Sequence, residues 1–210
     1  MKIHPAILVK HLDDFLEQAD AACRFTDEID IDVIDWLRSP GKTVTAHDVI
    51  STTTNLKLNF DLMMDHPMDS IHVLVGDHRV NRIIVNVESK DDFKDAVRYI
   101  YNHDKKVGIS FNPGSNPQEY KSLFKTLDMV QIMTIEPGRQ GNKFDKKQLE
   151  VVHQVRGMGF EGLVGIDGGV NMDTIKQIED YPIDIVSVGS AISKAERPDL
   201  VYKKLLKMLN

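Results

Sequence analysis

The feature that most constrains this chain is a regular alternation of short apolar runs with amphipathic segments. The short runs are rich in Val, Ile, Leu and Met, and between them apolar residues recur at spacings of three and four. Strand and helix in regular succession predict parallel strands joined by helical crossovers. The predicted strands are Ile3–Leu8, Glu28–Ile34, Lys57–Met63, Arg82–Val87, Lys106–Phe111, Met129–Thr134, Leu163–Ile166 and Ile185–Val188.

The helical patterns between these strands differ in strength. The amphipathic segments are His11–Ala22, Asp91–His103, Pro117–Leu127, Lys146–Met158, Met172–Glu179 and Asp199–Met208. Thr43–Thr53 and Met68–Gly76 show weaker patterns. Helix N-caps are expected at Asp91, Asn116 and Asp173.

The number of strand–helix units favours one closed barrel. Eight units in 210 residues average about 26 residues each, near the lower size limit of an eight-stranded α/β barrel. No linker rich in Pro, Gly or Ser divides the chain. We therefore expect a single (β/α)8 TIM barrel domain over residues 1–210. The alternative is a doubly wound open sheet, but its dinucleotide-binding version lacks support because no G-x-G-x-x-G follows the first strand.

Composition narrows the functional classes. A net charge of −6 lacks the basic footprint of a nucleic-acid-binding protein, and no apolar run of 18 residues offers a membrane span. The single cysteine, Cys23, excludes an internal disulfide framework and a Cys-rich zinc site. The apolar run at the N-terminus is too short for a signal peptide, so a cytoplasmic protein is expected. Assembly into a homo-oligomer stays open.

Carboxylates interrupt three of the predicted apolar strands. Asp30 and Asp32 share one face of the second strand, Asp61 lies in the third, and Asp167 ends the seventh. Polar residues near the C-terminal ends of barrel strands line active sites. Four converging carboxylates need a cation, shared protons or basic neighbours, and we find no Lys or Arg on the matching strand faces. The alternatives are a metal site, an acid–base pair, or strand-end turn residues and helix N-caps.

Glycines follow the late strands, where this fold commonly binds phosphate. The candidate residues for phosphate binding follow strands six, seven and eight, and they are Gly138, Gly141, Gly168, Gly169, Gly189 and Ser190. The alternative is that they are ordinary turn residues.

The chain resembles the ribulose-phosphate 3-epimerase family in motifs that keep their order over nearly its whole length. Asp30–Asp35 resembles the family's H-x-D-V-M-D, and Asp167–Asn171 resembles D-G-G-I-N. The other matching segments are Lys2–Leu8, Asn59–Met63, Asn112–Pro113, Met133–Phe144 and Val188–Ile192.

The resemblance implies a small eight-stranded barrel that interconverts phosphopentulose epimers by moving a proton at C3. It implies that Asp32 and Asp167 are the paired acid and base, and that the glycine loops hold the phosphate of a small phosphorylated sugar. Family members bind a divalent metal through two histidines and the two catalytic aspartates. The implied metal positions in this chain are Asp30, Asp32, Asp61 and Asp167.

The departures from the family concern mainly the metal. Asp30 and Asp61 occupy both histidine positions, and a set of carboxylates favours Mg²⁺ or Mn²⁺ over Zn²⁺. The further departures are Ala6 for serine, Ile34 for methionine, Trp36 for glycine, Asn86 for histidine and Glu136 for asparagine.

The sequence leaves three candidate functions for this chain. One is an epimerase for a phosphorylated ketose, and another is a phosphosugar-binding homologue with weak or no activity. The third is a decarboxylase or aldol-type synthase. Those relatives carry D-x-K-x-x-D on the second strand, and Asp32 at the lysine position argues against this reading. His4 shares a strand face with Ala6, and we expect a structural role for it.

Overall fold

Eight parallel strands close into a barrel in the computed structural model of this protein, which describes residues 1–35, 41–90, 93–137 and 143–209. The strands follow one another around the barrel in chain order, and β8 pairs with β1 to close it. The predicted TIM barrel is therefore confirmed. The strands are β1 (Lys2–Ile7), β2 (Glu28–Asp35), β3 (Lys57–Met64), β4 (Val80–Asn86), β5 (Lys106–Phe111), β6 (Met129–Met133), β7 (Leu163–Asp167) and β8 (Ile185–Val188).

The helices cover the outside of the barrel with their apolar faces. In α1, for example, Phe15, Ala19 and Ala22 are buried at spacings of four and three. No helix in the described ranges is long and apolar enough to cross a membrane. The helices are α1 (Leu12–Ala22), α2 (Ala46–Ile50), α3 (Met68–Leu74), α4 (Phe93–Tyr101), α5 (Leu149–Gly157), α6 (Ser190–Ser193) and α7 (Pro198–Leu209), with 3-10 turns at Pro117–Leu123, Lys146–Gln148 and Ile175–Gln177.

Two predicted helices form only 3-10 structure. The segment from Pro117 forms a 3-10 helix that ends at Leu123. The sequence did not predict this helix type, because apolar spacing over so few turns does not distinguish a 3-10 helix from an α-helix. The predicted helix Met172–Glu179 is reduced to the turn Ile175–Gln177.

The predicted N-caps met three different outcomes. Asn116 is confirmed, since its side chain accepts a hydrogen bond from the Gln118 N–H. The prediction of Asp173 as an N-cap was wrong, because Asn171 Oδ1 accepts the N–H groups of both Asp173 and Thr174 at 2.8 and 3.1 Å. Side-chain bonds of this kind compete with helix formation, which accounts for the short turn there. Asp91 lies outside the described residues.

The residues packed between strands and helices differ from those inside the barrel. The strand faces that meet the helices form the large apolar core, with Phe15, Phe60 and Phe111 fully buried. A second, small apolar cluster consists of Ile84, Met129 and Ile185, with Leu163 packed against it. Most of the buried polar side chains belong to the barrel strands. They are His4, Asp30, Asp32, Asn59, Asp61, Arg82, Asn86, Ser110, Gln131, Asp167 and Ser187.

Candidate active site

Three aspartates meet at the C-terminal mouth of the barrel. Asp32 on β2 pairs in register with Asp61 on β3, and Asp167 is the last residue of β7. One carboxylate oxygen from each lies within 4.8 Å of the others, and all three residues are buried. Asp32 and Asp167 also line a cavity of about 580 Å³ that opens at this end. The C-terminal ends of barrel strands are where active sites of this fold lie.

Burial and mutual repulsion raise the pKa of each of these three carboxyls. Burial, with the charge of Asp30, raises the pKa of Asp167 to about 7, against the effect of the Gly168 N–H that its carboxylate accepts. Burial and the charges of Asp167 and Asp61 raise the pKa of Asp32 well above its ordinary value. Burial and the charge of Asp167 do the same for Asp61. The cluster therefore keeps its protons to a higher pH than three separate carboxyls would.

Two neutral side chains hold Asp61 in place. The Ser110 hydroxyl donates to Asp61 Oδ1 at 3.1 Å, and the Gln131 amide donates to Asp61 Oδ2 at 2.6 Å. Sequence reasoning missed both residues. The available signal was a polar residue within each of the apolar runs of β5 and β6.

Asp30 lies outside this cluster, in a separate polar layer. Its Oδ1 lies 3.0 Å from His4 Nδ1 and accepts the Asn59 amide at 2.9 Å, and its Oδ2 accepts the Ser187 hydroxyl at 2.5 Å. Burial alone would raise the pKa of Asp30, but the charge of His4 and these hydrogen bonds lower it. The three-carboxylate cluster does not include Asp30, which we had expected among the metal ligands. Asp30 lies two residues, about 6.6 Å, further from the mouth than Asp32 along β2, and its oxygens bind His4, Asn59 and Ser187 instead.

A histidine and an arginine reach the barrel interior, and Arg82 contradicts our expectation that no Lys or Arg lies on the matching strand faces. Burial would lower the pKa of His4, but the charges of Asp30 and Glu28 raise it. His4 therefore supplies the counter-charge of Asp30. Arg82, on β4, is 3% exposed and pairs in register with Asn59. Neither basic group is hydrogen-bonded to Asp32, Asp61 or Asp167 in the described part of the chain.

The turn after β7 depends on glycine and on one buried threonine. Gly168 and Gly169 have φ of +114° and +68°, which favours glycine. A Cβ on Gly168 would lie 2.4 Å from Ile135 Cγ1. Thr134 Oγ1 contacts the carbonyl oxygens of Asp167 and Gly168 at 2.9 and 2.5 Å. Thr134, which sequence reasoning missed, follows β6 and fixes the turn that carries Asp167.

The candidate phosphate residues face the same cavity as the aspartates. Its lining includes Gly168, Gly169, Gly189 and Ser190 together with Asp32 and Asp167. Gly138 and Gly141 lie outside the described residues. Two exposed lysines, Lys143 and Lys194, also line the cavity and bring positive charge to its rim. One end of the cavity is therefore acidic and buried, and its exposed lining carries these two lysines and Asp173.

The three aspartates fit a hard divalent cation. Their oxygens are close enough for shared coordination, and raised pKa values mark negative charge without a counter-ion. Oxygen donors suit Mg²⁺ and Mn²⁺, whereas Zn²⁺ prefers imidazole and thiolate. His4 Nδ1 is directed to Asp30, so it does not complete a zinc site with these three aspartates.

Comparisons with known proteins agree with the motifs and the fold. Residues 2–193 match the model of the Ribulose-phosphate 3 epimerase family. A ribulose-phosphate 3-epimerase from Mycobacterium bovis is 32% identical over 204 residues, which is 93% of this chain and 87% of that one.

Among solved structures, 3-hexulose-6-phosphate synthase from Salmonella typhimurium superposes with a TM-score of 0.74 at 17% identity, covering 100% of this chain and 98% of that one. KGPDC from Streptococcus mutans, in complex with D-R5P, gives 0.74 at 14% identity, covering 99% and 96%. At these identities the two structures support the barrel fold alone.

Proposed function

This chain belongs to the ribulose-phosphate 3-epimerase family, and we propose that it is an epimerase that inverts C3 of a phosphorylated ketose such as ribulose 5-phosphate. The observation that carries the proposal is the pair Asp32 and Asp167. Both are buried, both line one cavity, and both have raised pKa values. A carboxylic acid with a pKa near neutrality can give and take a proton at the pH of the cell.

The proposed reaction uses the two carboxyls in turn. One carboxylate removes the C3 proton, the C3–H bond breaks, and its electrons form an enediolate with the neighbouring carbonyl. The second carboxyl, protonated at the start, donates its proton to the opposite face of C3. The two residues end with exchanged protonation states, as expected for a reversible epimerisation.

Asp32, Asp61 and Asp167 would hold Mg²⁺ or Mn²⁺, and a bound cation would stabilise the negative charge of the enediolate. Asp61 contributes without moving a proton. Its oxygens are fixed by Ser110 and Gln131, so it is held at a set position beside the other two carboxyls.

The phosphate of the substrate would bind at the rim of the cavity. We assign this role to Gly168, Gly169, Gly189 and Ser190, which line the cavity. Gly138 and Gly141 are assigned to it from the family resemblance alone. Backbone N–H groups at glycine turns can approach an anion closely, and Lys143 and Lys194 add charge to that rim. Residues 1–210 would act as one domain on a small phosphorylated sugar.

A solvent-exchange experiment tests this function. Ribulose 5-phosphate and other ketose phosphates are incubated with the protein in D2O, and deuterium at C3 is followed by NMR. We expect exchange and epimerisation with the wild type, and at least ~100-fold slower formation of the C3 epimer with Asp32→Asn or Asp167→Asn. Asp35→Asn is the matched control, since Asp35 ends the same strand as Asp32 but is exposed and bound to Lys42. Full epimerisation by either active-site variant would remove that residue from the mechanism.

A second candidate function is binding of a phosphosugar without turnover. The observation behind it concerns Asp30, which stands at a family metal position. Its carboxylate oxygens are engaged by His4, Asn59 and Ser187 rather than left for a metal. Saturable binding of ribulose 5-phosphate, with no deuterium incorporation from any ketose phosphate in the presence of Mg²⁺ or Mn²⁺, would favour this candidate over the epimerase.

A further inference from the structure

A second cavity lies at the opposite end of the barrel from the aspartate cluster. It has a volume of about 330 Å³, and its lining includes Lys2, Glu28 and Lys106, the first residues of β1, β2 and β5. His4, Arg82 and Asp184 complete the polar part of the wall. We call this region the N-terminal mouth. Its side chains belong to a different end of the strands from the candidate active site, so any ligand there is a separate one.

Arg82 is the unusual member of the N-terminal mouth. It is 3% exposed, and its Nε has no hydrogen-bond partner. Within the described ranges, no side chain or carbonyl accepts a hydrogen bond from its guanidinium. A guanidinium carries five N–H donors and stays charged, so burial without an acceptor is costly. Buried polar groups normally have partners, and the unpartnered Nε of Arg82 beside a cavity indicates a missing acceptor.

Two lysines strengthen the positive charge around Arg82. Lys106 pairs with Arg82 in strand register, and Lys2 begins β1 on the same rim. In the described part of the chain neither lysine side chain forms an ion pair. Three cations therefore border one small cavity.

The two carboxylates of this cavity are engaged elsewhere. Glu28 Oε1 accepts the amides of Asn59 and Asn81 at 3.0 and 2.8 Å. Asp184 Oδ2 binds Arg156 at 2.5 Å and the Val164 N–H at 2.8 Å. Neither is bonded to Arg82. The acceptor that the guanidinium lacks must therefore come from outside the described protein groups.

We propose that the N-terminal mouth binds a small phosphate-bearing anion, with its oxygens on the Arg82 guanidinium and its charge balanced by Lys106 and Lys2. Guanidinium groups bind phosphate through two parallel hydrogen bonds, and two nearby ammonium groups favour a doubly charged ligand. The cavity is large enough for inorganic phosphate or a short phosphate monoester. The site is independent of turnover at the other end of the barrel.

Titration with inorganic phosphate, followed by backbone amide NMR, tests this site in the full chain. Phosphate can also bind at the C-terminal mouth, so the two ends are distinguished by which amides shift. We expect saturable shifts at Lys2, Arg82 and Lys106 in the wild type. The affinity reported by those amides should fall at least tenfold in Arg82→Met and several-fold in Lys106→Ala. Arg24→Met, at an exposed arginine paired with Asp20, is the matched control and should bind as the wild type does.

Several outcomes would overturn the proposal. Shifts confined to the loops after β7 and β8 would place phosphate only at the C-terminal mouth. Unchanged affinity in Lys106→Ala would also contradict it, and this surface variant keeps the test valid if Arg82→Met does not fold. Glycerol 3-phosphate serves as the second probe. Tighter binding than inorganic phosphate assigns the site to a monoester, and weaker binding assigns it to the free anion.

Discussion

Asp30 and Asp32 lie two residues apart on the same face of β2, yet their carboxyls behave in opposite ways. Both are buried, with 6% and 8% exposure, so depth does not explain the difference. The pKa of Asp30 is lowered and that of Asp32 is raised. Asp30 has His4, Asn59 and Ser187 as partners, whereas Asp32 faces other carboxyls.

The difference shows what separates a structural carboxylate from a reactive one in this barrel. Burial penalises the charge of both residues. Hydrogen bonds and an opposite charge overcome that penalty at Asp30, and nothing in the described part of the chain does so at Asp32. The polar layer around Asp30 is therefore satisfied within the protein. The cluster at the mouth is left needing a proton, a cation or a substrate.

Removing the charge of Asp30 should have the largest effect on stability. Asp30→Asn removes the charge that keeps His4 protonated, so His4 must lose its proton or stay charged beside Glu28 alone, and breaking a buried ion pair costs up to roughly 3–5 kcal/mol. Urea unfolding at pH 7 measures the free energy of unfolding. Asp35→Asn, at the exposed end of the same strand, should change it by less than about 0.5 kcal/mol. Equal effects of the two variants would show that the layer around Asp30 is not a satisfied ion pair.

The same substitution at Asp167 should act in the opposite direction. The pKa of Asp167 is raised to about 7, so folding is opposed increasingly between pH 3.8 and 7 and by a constant amount above pH 7. Asp167→Asn removes this cost, and at ~1.4 kcal/mol per pKa unit we expect a gain of up to ~4 kcal/mol at pH 8. The gain should shrink as pH falls through 7 and vanish below the ordinary pKa of 3.8. Urea unfolding across this range gives the curve, and a loss of stability at pH 8 would contradict the assigned pKa.

A divalent cation should stabilise the mouth and leave the layer of Asp30 unaffected. At a free Mg²⁺ or Mn²⁺ concentration tenfold above Kd, binding adds about 1.4 kcal/mol to the free energy of unfolding. Thermal unfolding with and without the cation measures this gain. It should disappear in Asp61→Asn and persist in Asp30→Asn, which lies outside the cluster. If Asp30→Asn abolished the gain as Asp61→Asn does, Asp30 would belong to the metal site.

The sequence predicts the barrel well because the barrel is built from local patterns. Lys106–Phe111 and Ile185–Val188 are predicted with the bounds observed, since apolar runs and the segments between them report directly on strand and crossover. The weaker segments Thr43–Thr53 and Met68–Gly76 contain short helices, α2 and α3, that apolar periodicity barely registers.

The grouping of the aspartates is less accessible to sequence reasoning. Alternation gives the face on which Asp30 lies but not its depth, and two residues along a strand move a side chain about 6.6 Å toward the other end of the barrel. The partners at that depth come from β1, β3 and β8, and Ser187 is 157 residues away in the sequence. Only barrel closure brings them together, so the separate layer around Asp30 could not be foreseen from β2 alone.

Two serines, one at each carboxyl, offer the finest test of the difference between the two regions. Ser187 donates to the ionised Asp30, and Ser110 donates to Asp61, whose pKa is raised. Hydrogen bonds to charged groups contribute roughly 1.5–3 kcal/mol and neutral ones about 1 kcal/mol. At a pH where Asp30 is ionised and Asp61 still holds its proton, Ser187→Ala should therefore cost about 1 kcal/mol more than Ser110→Ala in urea unfolding. As pH rises and Asp61 loses its proton, the bond from Ser110 gains strength and the gap should close. A gap that is absent at every pH at which the protein is folded, or that widens with pH, would mean that Asp61 is ionised like Asp30 and that the two regions do not differ in protonation.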